Sequence, residues 1–259
     1  FGHKQFGELT YGNMVTITDE VKQSDLANTY SLTDGLLETS ARRVTQYVYN
    51  GDYGSNKVKF GAYYGGSSKR SIKNVDLKNN RKNTWGTGLI FNHEIDSIQN
   101  VTVAAGFTRQ ISENANKTAY YSNAYALGLA YNFVHTTYGL DLAHKDTKNK
   151  GGAGNKVKNN EVTAVIRQGL NEDWNVYAMY SYKTEKTLPV GSAYSKSTDR
   201  QFLVGTEYYV FKQGSVKVKP FIEWQATRTK YENTFDKDSG KQLDRSRDFK
   251  TVIGLRAYW

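Results

Sequence analysis

The sequence contains no cysteine and only two prolines among its 259 residues. Without cysteine, neither a disulfide scaffold nor a cysteine-ligated zinc or iron–sulfur site is possible. Long apolar runs are missing as well, since the longest, at residues 101–107 and 125–131, extend for about seven residues and include glycine. A membrane-spanning helix needs about 18 apolar residues in succession. The sequence therefore excludes a helical membrane span.

Aromatic side chains and glycine are, by contrast, abundant. The chain has 20 Tyr, 11 Phe and 4 Trp, which make up 14% of its residues, and it has 23 Gly. So many aromatic residues exclude a disordered chain, because disordered segments are poor in them. Apolar residues nevertheless reach only 38%. This balance favours β-structure with one face in water.

Apolar residues alternate with small or polar residues along most of the chain. In one segment, Tyr125, Leu127 and Leu129 share one face, and Ala126 and Gly128 share the other. A period of two is typical of β-strands whose two faces meet different surroundings. About twelve such segments occur, and no linker or change of composition divides them. We therefore predict an all-β fold in which residues 1–259 form a single domain.

The connections between the predicted strands alternate in length. Short connections are expected near residues 51–56, 93–100, 134–136, 171–173 and 212–214, and long, charged ones near 66–83, 110–118, 146–159, 185–198 and 229–247. An antiparallel meander with short turns at one end and long loops at the other is typical of a transmembrane β-barrel. A soluble β-sandwich would also use many aromatic residues, but it does not explain the alternating loop lengths.

One long connection, at residues 13–41, differs from the others. It is neither strongly basic nor rich in glycine, and it contains residues that could be buried: Leu26, Tyr30, Leu32, Leu36 and Leu37. Long loops with apolar anchors are usually functional. Such anchors favour packing against a surface, and a barrel offers its inner wall. We predict that this segment folds inward; the alternative is a solvated external loop.

Several short segments resemble one family of proteins. Residues 6–12, which read Phe-Gly-Glu-Leu-Thr-Tyr-Gly, and Thr-Ile-Thr-Asp at 16–19 resemble the fifth strand and the start of the third loop of general diffusion porins. The end of the chain resembles their C-terminal strand, although it ends in Trp259 rather than the usual phenylalanine. Residues 171–177 and 223–228 are also similar, most of all to the major porins of the Pasteurellaceae.

This resemblance implies a trimeric, 16-stranded β-barrel of the Gram-negative outer membrane. If each strand with its loop takes about 22 residues, sixteen strands need on the order of 350 residues. We therefore expect that about four strands on the N-terminal side are missing from this sequence. The alternative is that the strands present close into a smaller barrel.

The resemblance also implies a constriction, because the third loop of these porins carries acids that face basic residues on the barrel wall. The acidic candidates at corresponding positions are, in order of preference, Asp25, Asp34, Glu38, Asp19 and Glu20. Charges around a narrow aqueous path sort solutes by size and charge. For each of these acids, a solvated loop carboxylate is an equally good reading.

Strand alternation suggests which basic residues line the pore. Arg42 shares its register with Val44 and Gln46, whereas Arg43 falls on the opposite face. By the same rule, other candidates for the inner wall are Lys57, Lys59, Arg167, Lys183, Lys219, Lys250 and Arg256. A Lys or Arg in the middle of the lipid face would cost roughly 2–4 kcal/mol, so an inward position is expected.

No catalytic, cofactor or metal site is predicted. The four histidines, His3, His93, His135 and His144, are scattered over turns and strand ends without a partner at metal-ligand spacing. An outer-membrane enzyme such as a lipid hydrolase would need a nucleophile and a base at adjacent strand ends. We therefore do not expect an enzyme.

The expected function is a water-filled channel for passive diffusion of ions and small hydrophilic solutes. The net charge of +10 could indicate nucleic-acid binding, but the cations are spread over predicted outer loops, as Lys69, Arg70, Lys156 and Lys158 illustrate. Contact with lipopolysaccharide phosphates explains them better, and a plain solvated rim is simpler still. The alternative function is an adhesin or receptor barrel with a plugged lumen and ligand-binding surface loops.

Overall fold

The structure is a computed structural model that describes residues 2–3, 6–68, 71–72, 75–76, 79–114, 119–149, 156–188, 194–234 and 241–259. At residues 71–72, 75–76, 79–80, 114, 149, 234 and 241–242 the backbone alone is described. The cations Lys69 and Arg70, named above for the outer rim, lie outside the described residues.

Nearly all of the described chain is β-strand. In chain order the strands are β1 (Gly2–His3), β2 (Gly7–Val15), β3 (Ser40–Tyr53), β4 (Asn56–Gly65), β5 (Ser71–Ile72), β6 (Val75–Asp76), β7 (Asn79–Asp96), β8 (Gln99–Asn114), β9 (Ala119–Phe133), β10 (Thr136–Asn149), β11 (Lys156–Gly169), β12 (Trp174–Leu188), β13 (Tyr194–Tyr208), β14 (Phe211–Gln213), β15 (Val216–Thr234) and β16 (Lys241–Tyr258). Within the described residues, the one helical element is a short 3₁₀ helix, Ile17–Val21. No described helix has the length and apolar character needed to cross a membrane.

The long strands form one antiparallel sheet in which each pairs with the next long strand along the chain. Of the four short strands, β1 and β14 lie at the ends of this sheet, and β5 and β6 form a separate ribbon. Among the described residues β2 and β16 do not pair with each other, so the sheet is open between them. The predicted antiparallel meander of about twelve strands is confirmed.

Connections at the two ends of the sheet differ in length, as predicted. Residues 54–55, 97–98 and 134–135 make two-residue turns at one end. The loops at the other end are shorter than expected, since only residues 115–118 separate β8 from β9 where 110–118 had been predicted. The strands continue to pair beyond the last alternating apolar residue, because backbone hydrogen bonds form equally well where both faces of a strand are polar. The sequence does not reveal these strand ends, since apolar and polar residues no longer alternate in them.

The outer face of the sheet carries the large apolar side chains that alternation predicted. Tyr125 is 52% exposed and Leu127 38%, whereas Ala124 on the other face is buried. Aromatic rings contact one another across strands, as in the row Phe202, Trp224 and Phe249, where ring centroids are 6.5 and 6.0 Å apart. Exposed apolar rings on a continuous face suit a hydrocarbon environment, with aromatic residues near its borders.

The inner face is packed against residues 16–39, which we call the inner loop. Leu32 is buried against Val165, Tyr177 and Met179, and Leu37 is buried elsewhere on the same face. Each of the three clusters of buried apolar residues in the described part of the chain contains residues of the inner loop, so these clusters lie between the loop and the wall. The predicted inward folding of residues 13–41 is confirmed, although β2 and β3 extend into that range.

Candidate functional site

The two ends of the inner loop are joined at its base. The Thr16 amide donates to the Thr39 carbonyl at 2.8 Å, and the Thr18 hydroxyl donates to the Glu38 carbonyl at 2.7 Å. The Ile17 amide donates to the Gln46 side chain at 2.7 Å. The loop therefore leaves and rejoins the sheet at one place and spreads from there over the inner face.

A row of glycines on consecutive long strands receives the first part of the loop. It consists of Gly61 on β4, Gly88 on β7, Gly106 on β8, Gly128 on β9 and Gly139 on β10. A Cβ atom on Gly128 would lie 2.1 Å from the Val21 carbonyl oxygen, and one on Gly139 would lie 2.5 Å from that of Gln23. Glycine alone permits this close approach of two backbones. We call this row the glycine groove.

At the end of the glycine groove, Asp141 of β10 binds the loop backbone. This carboxylate is only 4% exposed, and it accepts hydrogen bonds from the amides of Gln23 at 2.9 Å and Ser24 at 2.8 Å. The Ser24 hydroxyl donates to it at 2.5 Å. Hydrogen bonds to an ionised acceptor are stronger than neutral ones, so Asp141 is a firm anchor.

Two further buried carboxylates hold the second part of the loop in the same way. Glu223 of β15 accepts hydrogen bonds from the amides of Asn28, of Thr29 at 3.0 Å and of Tyr30 at 2.9 Å. Glu161 of β11 accepts them from the amides of residues 34 and 35, at 2.8 and 3.1 Å. Consecutive backbone amides that point one way form a site for an anion, and here the wall supplies the anion.

A fourth buried carboxylate, Glu207 of β13, joins the loop to basic residues of the wall. It accepts hydrogen bonds from the Asn28 side chain at 2.8 Å, from Lys219 at 2.6 Å and from Arg167. Two cations beside one carboxylate compensate for its removal from water. Together, Asp141, Glu161, Glu207 and Glu223 form what we call the carboxylate clamp.

Each acid proposed from the sequence lies near a lysine, and three of them pair with the wall. Glu20 contacts Lys59 at 2.5 Å and Asp34 contacts Lys183 at 2.5 Å. Glu38 accepts a hydrogen bond from Lys145 at 3.2 Å. The loop's charged side chains therefore meet the wall at three places around its edge.

Asp19 and Asp25 instead flank a lysine of the loop itself. Lys22 lies 3.4 Å from the Asp19 carboxylate and 3.5 Å from that of Asp25. Burial opposes the charged form of Lys22, but the two carboxylates outweigh it and raise the pKa of the ammonium. These two acids therefore stabilise the loop internally.

The other basic candidates lie on the inner face in two groups. Arg256 of β16 donates to the Asn28 carbonyl and so joins the loop's attachment near Glu207. Lys57 pairs with Glu94 at 2.6 Å and Lys250 with Asp248 at 3.1 Å, without touching the inner loop. Lys57 and Lys250 are thus the candidates that remain apart from it.

The prediction that Arg42 lines the pore assumed regular alternation in β3, and β3 is irregular at this position. Ala41 and Val44 are both buried on the inner face although they are three residues apart. The pairing of β2 with β3 shifts at this point, and Arg43 has a φ of +54°. This irregularity interrupts the alternation, so position 42 does not inherit the register of Val44, and its side chain is exposed.

The carboxylate clamp was missed in the sequence, although its members follow the alternation rule. Glu223, for example, lies between the outward Ile222 and Trp224 and so had to face inward. The sequence prediction named only basic residues for the wall. Among the described residues, no group of three or more His, Cys, Asp or Glu is placed to hold a metal ion.

Comparisons with known proteins give one family model and several solved structures of similar fold. The model of the Gram-negative porin family matches residues 1–220. OmpT, an outer-membrane protein of Vibrio cholerae, has a similar solved structure, with a TM-score of 0.67 and 15% identity over 98% of this chain and 77% of that one. An anion-selective porin from Comamonas acidovorans superposes with a TM-score of 0.55 and 14% identity, over 98% of this chain and 74% of that one. With its antiparallel sheet, apolar outer face and inward loop, this chain belongs to the Gram-negative porin family.

Proposed function

We propose that the inner loop sets the width and the charge of the channel that this porin forms. The protein is an outer-membrane channel for passive diffusion. The observation that carries the proposal is that the loop crosses the inner face from β3 to β16, with contacts from Gln46 at one side to Arg256 at the other. A segment so placed restricts the aqueous space that the sheet surrounds.

The solutes that suit this channel are ions and small hydrophilic molecules. The inner face carries ion pairs such as Glu20–Lys59 and Asp34–Lys183, whose side chains are partly exposed to the lumen. Fixed charges along a water-filled path discriminate by size and charge without tight binding. Transport of this kind requires neither a covalent step nor a cofactor.

The open edge of the sheet concerns how the barrel closes and how many copies of it associate. An unpaired strand edge in lipid costs several kcal/mol for each backbone group without a partner, so we propose that further strands connect β16 to β2 in the full barrel. A trimer form of OmpT from Vibrio cholerae resembles this chain with a TM-score of 0.65, 15% identity and coverage of 98% of this chain and 77% of that one. We therefore propose a homotrimer.

Reconstitution of the full-length protein in planar bilayers tests the channel. We expect stepwise increases in conductance, grouped in threes if the trimer forms. Shortening the inner loop between residues 25 and 33 should enlarge each step, because that part extends over the lumen side of the wall. A membrane that stays silent at high protein concentration would favour the adhesin or receptor alternative with its plugged lumen.

A further inference from the structure

Three polar side chains meet in the buried contact between the middle of the inner loop and the wall. They are Asn28 of the loop, Glu207 of β13 and Lys219 of β15, and we call them the amide triad. All three are more than nine-tenths buried. A buried ion pair by itself is weak evidence for stability. What distinguishes this pair is the side-chain amide in contact with it.

The two carboxylate oxygens of Glu207 have different partners. Its Oε1 accepts hydrogen bonds from Arg167 and, at 3.3 Å, from the Asn175 side chain. Its Oε2 accepts them from the Lys219 ammonium at 2.6 Å and from Nδ2 of Asn28 at 2.8 Å. The lysine and amide nitrogens therefore contact one oxygen atom, and their separation cannot exceed the sum of these two distances. The amine of Lys219 is thus a neighbour of the Asn28 side-chain amide.

The side-chain amide of Asn28 is held in one orientation. Its Nδ2 donates to the Tyr177 hydroxyl at 2.9 Å as well as to Glu207. An ionised carboxylate only accepts hydrogen bonds, so the nitrogen and not the oxygen of the amide faces it. The Oδ1 atom is buried and has no hydrogen-bond partner among the described residues. A buried polar atom without a partner is uncommon and requires a physical reason.

These contacts meet the requirements of an exchange between an amine and an amide. Lysine is a nucleophile once its ammonium has lost a proton, and Glu207 can accept that proton through the 2.6 Å contact. Groups that are held in contact react as if their concentration were very high, which compensates for the low reactivity of a carboxamide. Burial of the site also excludes the water that would hydrolyse the amide instead.

We propose that Lys219 forms a covalent amide bond with Asn28 and so ties the inner loop to β15. The Lys219 nitrogen attacks Cγ of Asn28, and the bond between Cγ and Nδ2 breaks. Glu207 transfers two protons in turn from the lysine nitrogen to Nδ2, which leaves as ammonium. Negative charge develops on Oδ1 during the attack, beside the Arg256 guanidinium that contacts the backbone carbonyl of the same residue. The products are a secondary amide and ammonium, and no oxidant, reductant or cofactor is required.

Another lysine that contacts the loop lacks these features. Lys183 lies 2.5 Å from the Asp34 carboxylate, and Glu161 accepts a hydrogen bond from the amide of residue 34. The Asp34 side chain is, however, 61% exposed. An ionised carboxylate in water is a poor electrophile, and water opposes its condensation with an amine. Lys183 therefore remains a free amine and provides the control for Lys219.

The amide bond closes a ring that runs along the chain from residue 28 to residue 219. It fixes the loop at residue 28 independently of the hydrogen bonds of the carboxylate clamp. The link does not depend on conduction, so it can be detected in the protein whether or not the channel is open.

The test is a tryptic digest of the full-length protein, purified from membranes in detergent, followed by mass spectrometry. Trypsin releases residues 23–42, which contain Asn28, and residues 218–228, which contain Lys219, because it does not cut before Pro220. We expect one joined species that is lighter than the two peptides together by one ammonia. Its fragment ions should place the link at Asn28 and Lys219. The proposal is overturned if the two peptides are recovered only as separate species.

Two variants identify the chemistry of the link. Glu207→Gln removes the proton acceptor, and Lys219→Arg removes the amine while it keeps the positive charge beside Glu207. Both should give only the separate peptides. Lys183→Arg makes the same substitution at the lysine that pairs with the exposed Asp34 and should retain the joined species. A joined species at the wild-type level in the Glu207→Gln variant would contradict the role of Glu207.

Denaturing electrophoresis gives a readout that does not depend on the recovery of peptides. A chain closed into a ring is more compact when denatured than a linear chain. The heated wild type and the Lys183→Arg variant should therefore migrate together and faster than the Lys219→Arg variant. The Lys219→Arg variant should still form channels in planar bilayers, which shows that it folds without the link. Identical migration of all three proteins would contradict the proposal.

Discussion

The first half of the inner loop, residues 16–24, and its second half, residues 28–38, are held against the sheet by different forces. The first half lies in the glycine groove, where its backbone touches the backbone of the wall. The second half is held by carboxylates, because Glu223 and Glu161 accept hydrogen bonds from its backbone amides. Steric fit positions most of the first half, which Asp141 then fixes at residues 23 and 24, whereas hydrogen bonds from backbone amides to carboxylates position the second half. Substitutions should therefore displace the two halves in different ways.

The largest effect is expected in the glycine groove. In Gly128→Ala the new Cβ would lie 2.1 Å from the Val21 carbonyl oxygen, so the loop must move toward the channel axis. We expect a loss of about 3 kcal/mol in the free energy of unfolding, since overpacking a tight contact costs that much. Single-channel conductance should fall at the same time.

Gly66→Ala is the matched control, because a Cβ at Gly66 would meet nothing within 4 Å. Urea unfolding and bilayer recordings should give wild-type values for this variant. Equal behaviour of the two variants would mean that the close approach of loop and wall does not limit the channel.

A smaller effect is expected in the carboxylate clamp. Glu223→Gln keeps the shape of the side chain but removes the negative charge of the group that accepts hydrogen bonds from three backbone amides. Hydrogen bonds to a charged group contribute more than neutral ones, so we expect a loss of about 2 kcal/mol. The second half of the loop should then fluctuate, which bilayer recordings would detect as greater noise in the open-channel current.

The exposed turn residue Glu172 provides a control for this change. Glu172→Gln removes the same charge far from the inner loop and should leave both stability and current noise unaltered. If the open-channel current of the Glu223→Gln variant is no noisier than that of the wild type, the loop holds its position without the charge of Glu223.

The smallest change in stability is expected for an ion pair at the edge of the second half. Lys183→Gln leaves Asp34, whose side chain is 61% exposed, without its partner at 2.5 Å. Exposed ion pairs contribute less than about 1 kcal/mol, so unfolding should barely change. The unpaired carboxylate should nevertheless shift the reversal potential in a salt gradient toward cation preference.

Lys57→Gln is the corresponding control, because Lys57 pairs with Glu94 away from the inner loop. It removes the same charge from the inner face. If both variants shift the reversal potential equally, selectivity depends on the total charge of the wall rather than on the loop contact.

Sequence alternation predicted the two faces of the sheet because the rule is local. Each residue of a regular strand faces opposite to its neighbour, and Leu127 and Gly128 need no other information. The rule failed at Arg42, where an irregularity in β3 shifts the register. A local pattern does not reveal where the pairing strand inserts or omits a residue.

The attachment of the inner loop could not be predicted in the same way. Its anchors join residues far apart in the sequence, as Asn28 and Glu223 illustrate with a separation of 195 positions. Alternation could have placed Glu223 on the inner face, but it could not have identified loop amides as its partners. The sequence prediction ranked Asp25 above Glu20 as a constriction acid. In the structure only Glu20 of these two pairs with the wall, and that contact depends on the path of the loop.

What the sequence determined alone is the identity of each surface, because a strand period of two places apolar side chains outward and small or polar ones inward. For the inner loop, the apolar residues favoured an inward path, and the structure decided between it and an external loop. What only the tertiary structure decided is which charges meet. Strand register and loop path set those distances, and Coulomb energies depend on separation and burial rather than on order in the chain. The carboxylates of the clamp follow the same alternation as the other inward residues, and only their contacts with the loop amides make them anchors.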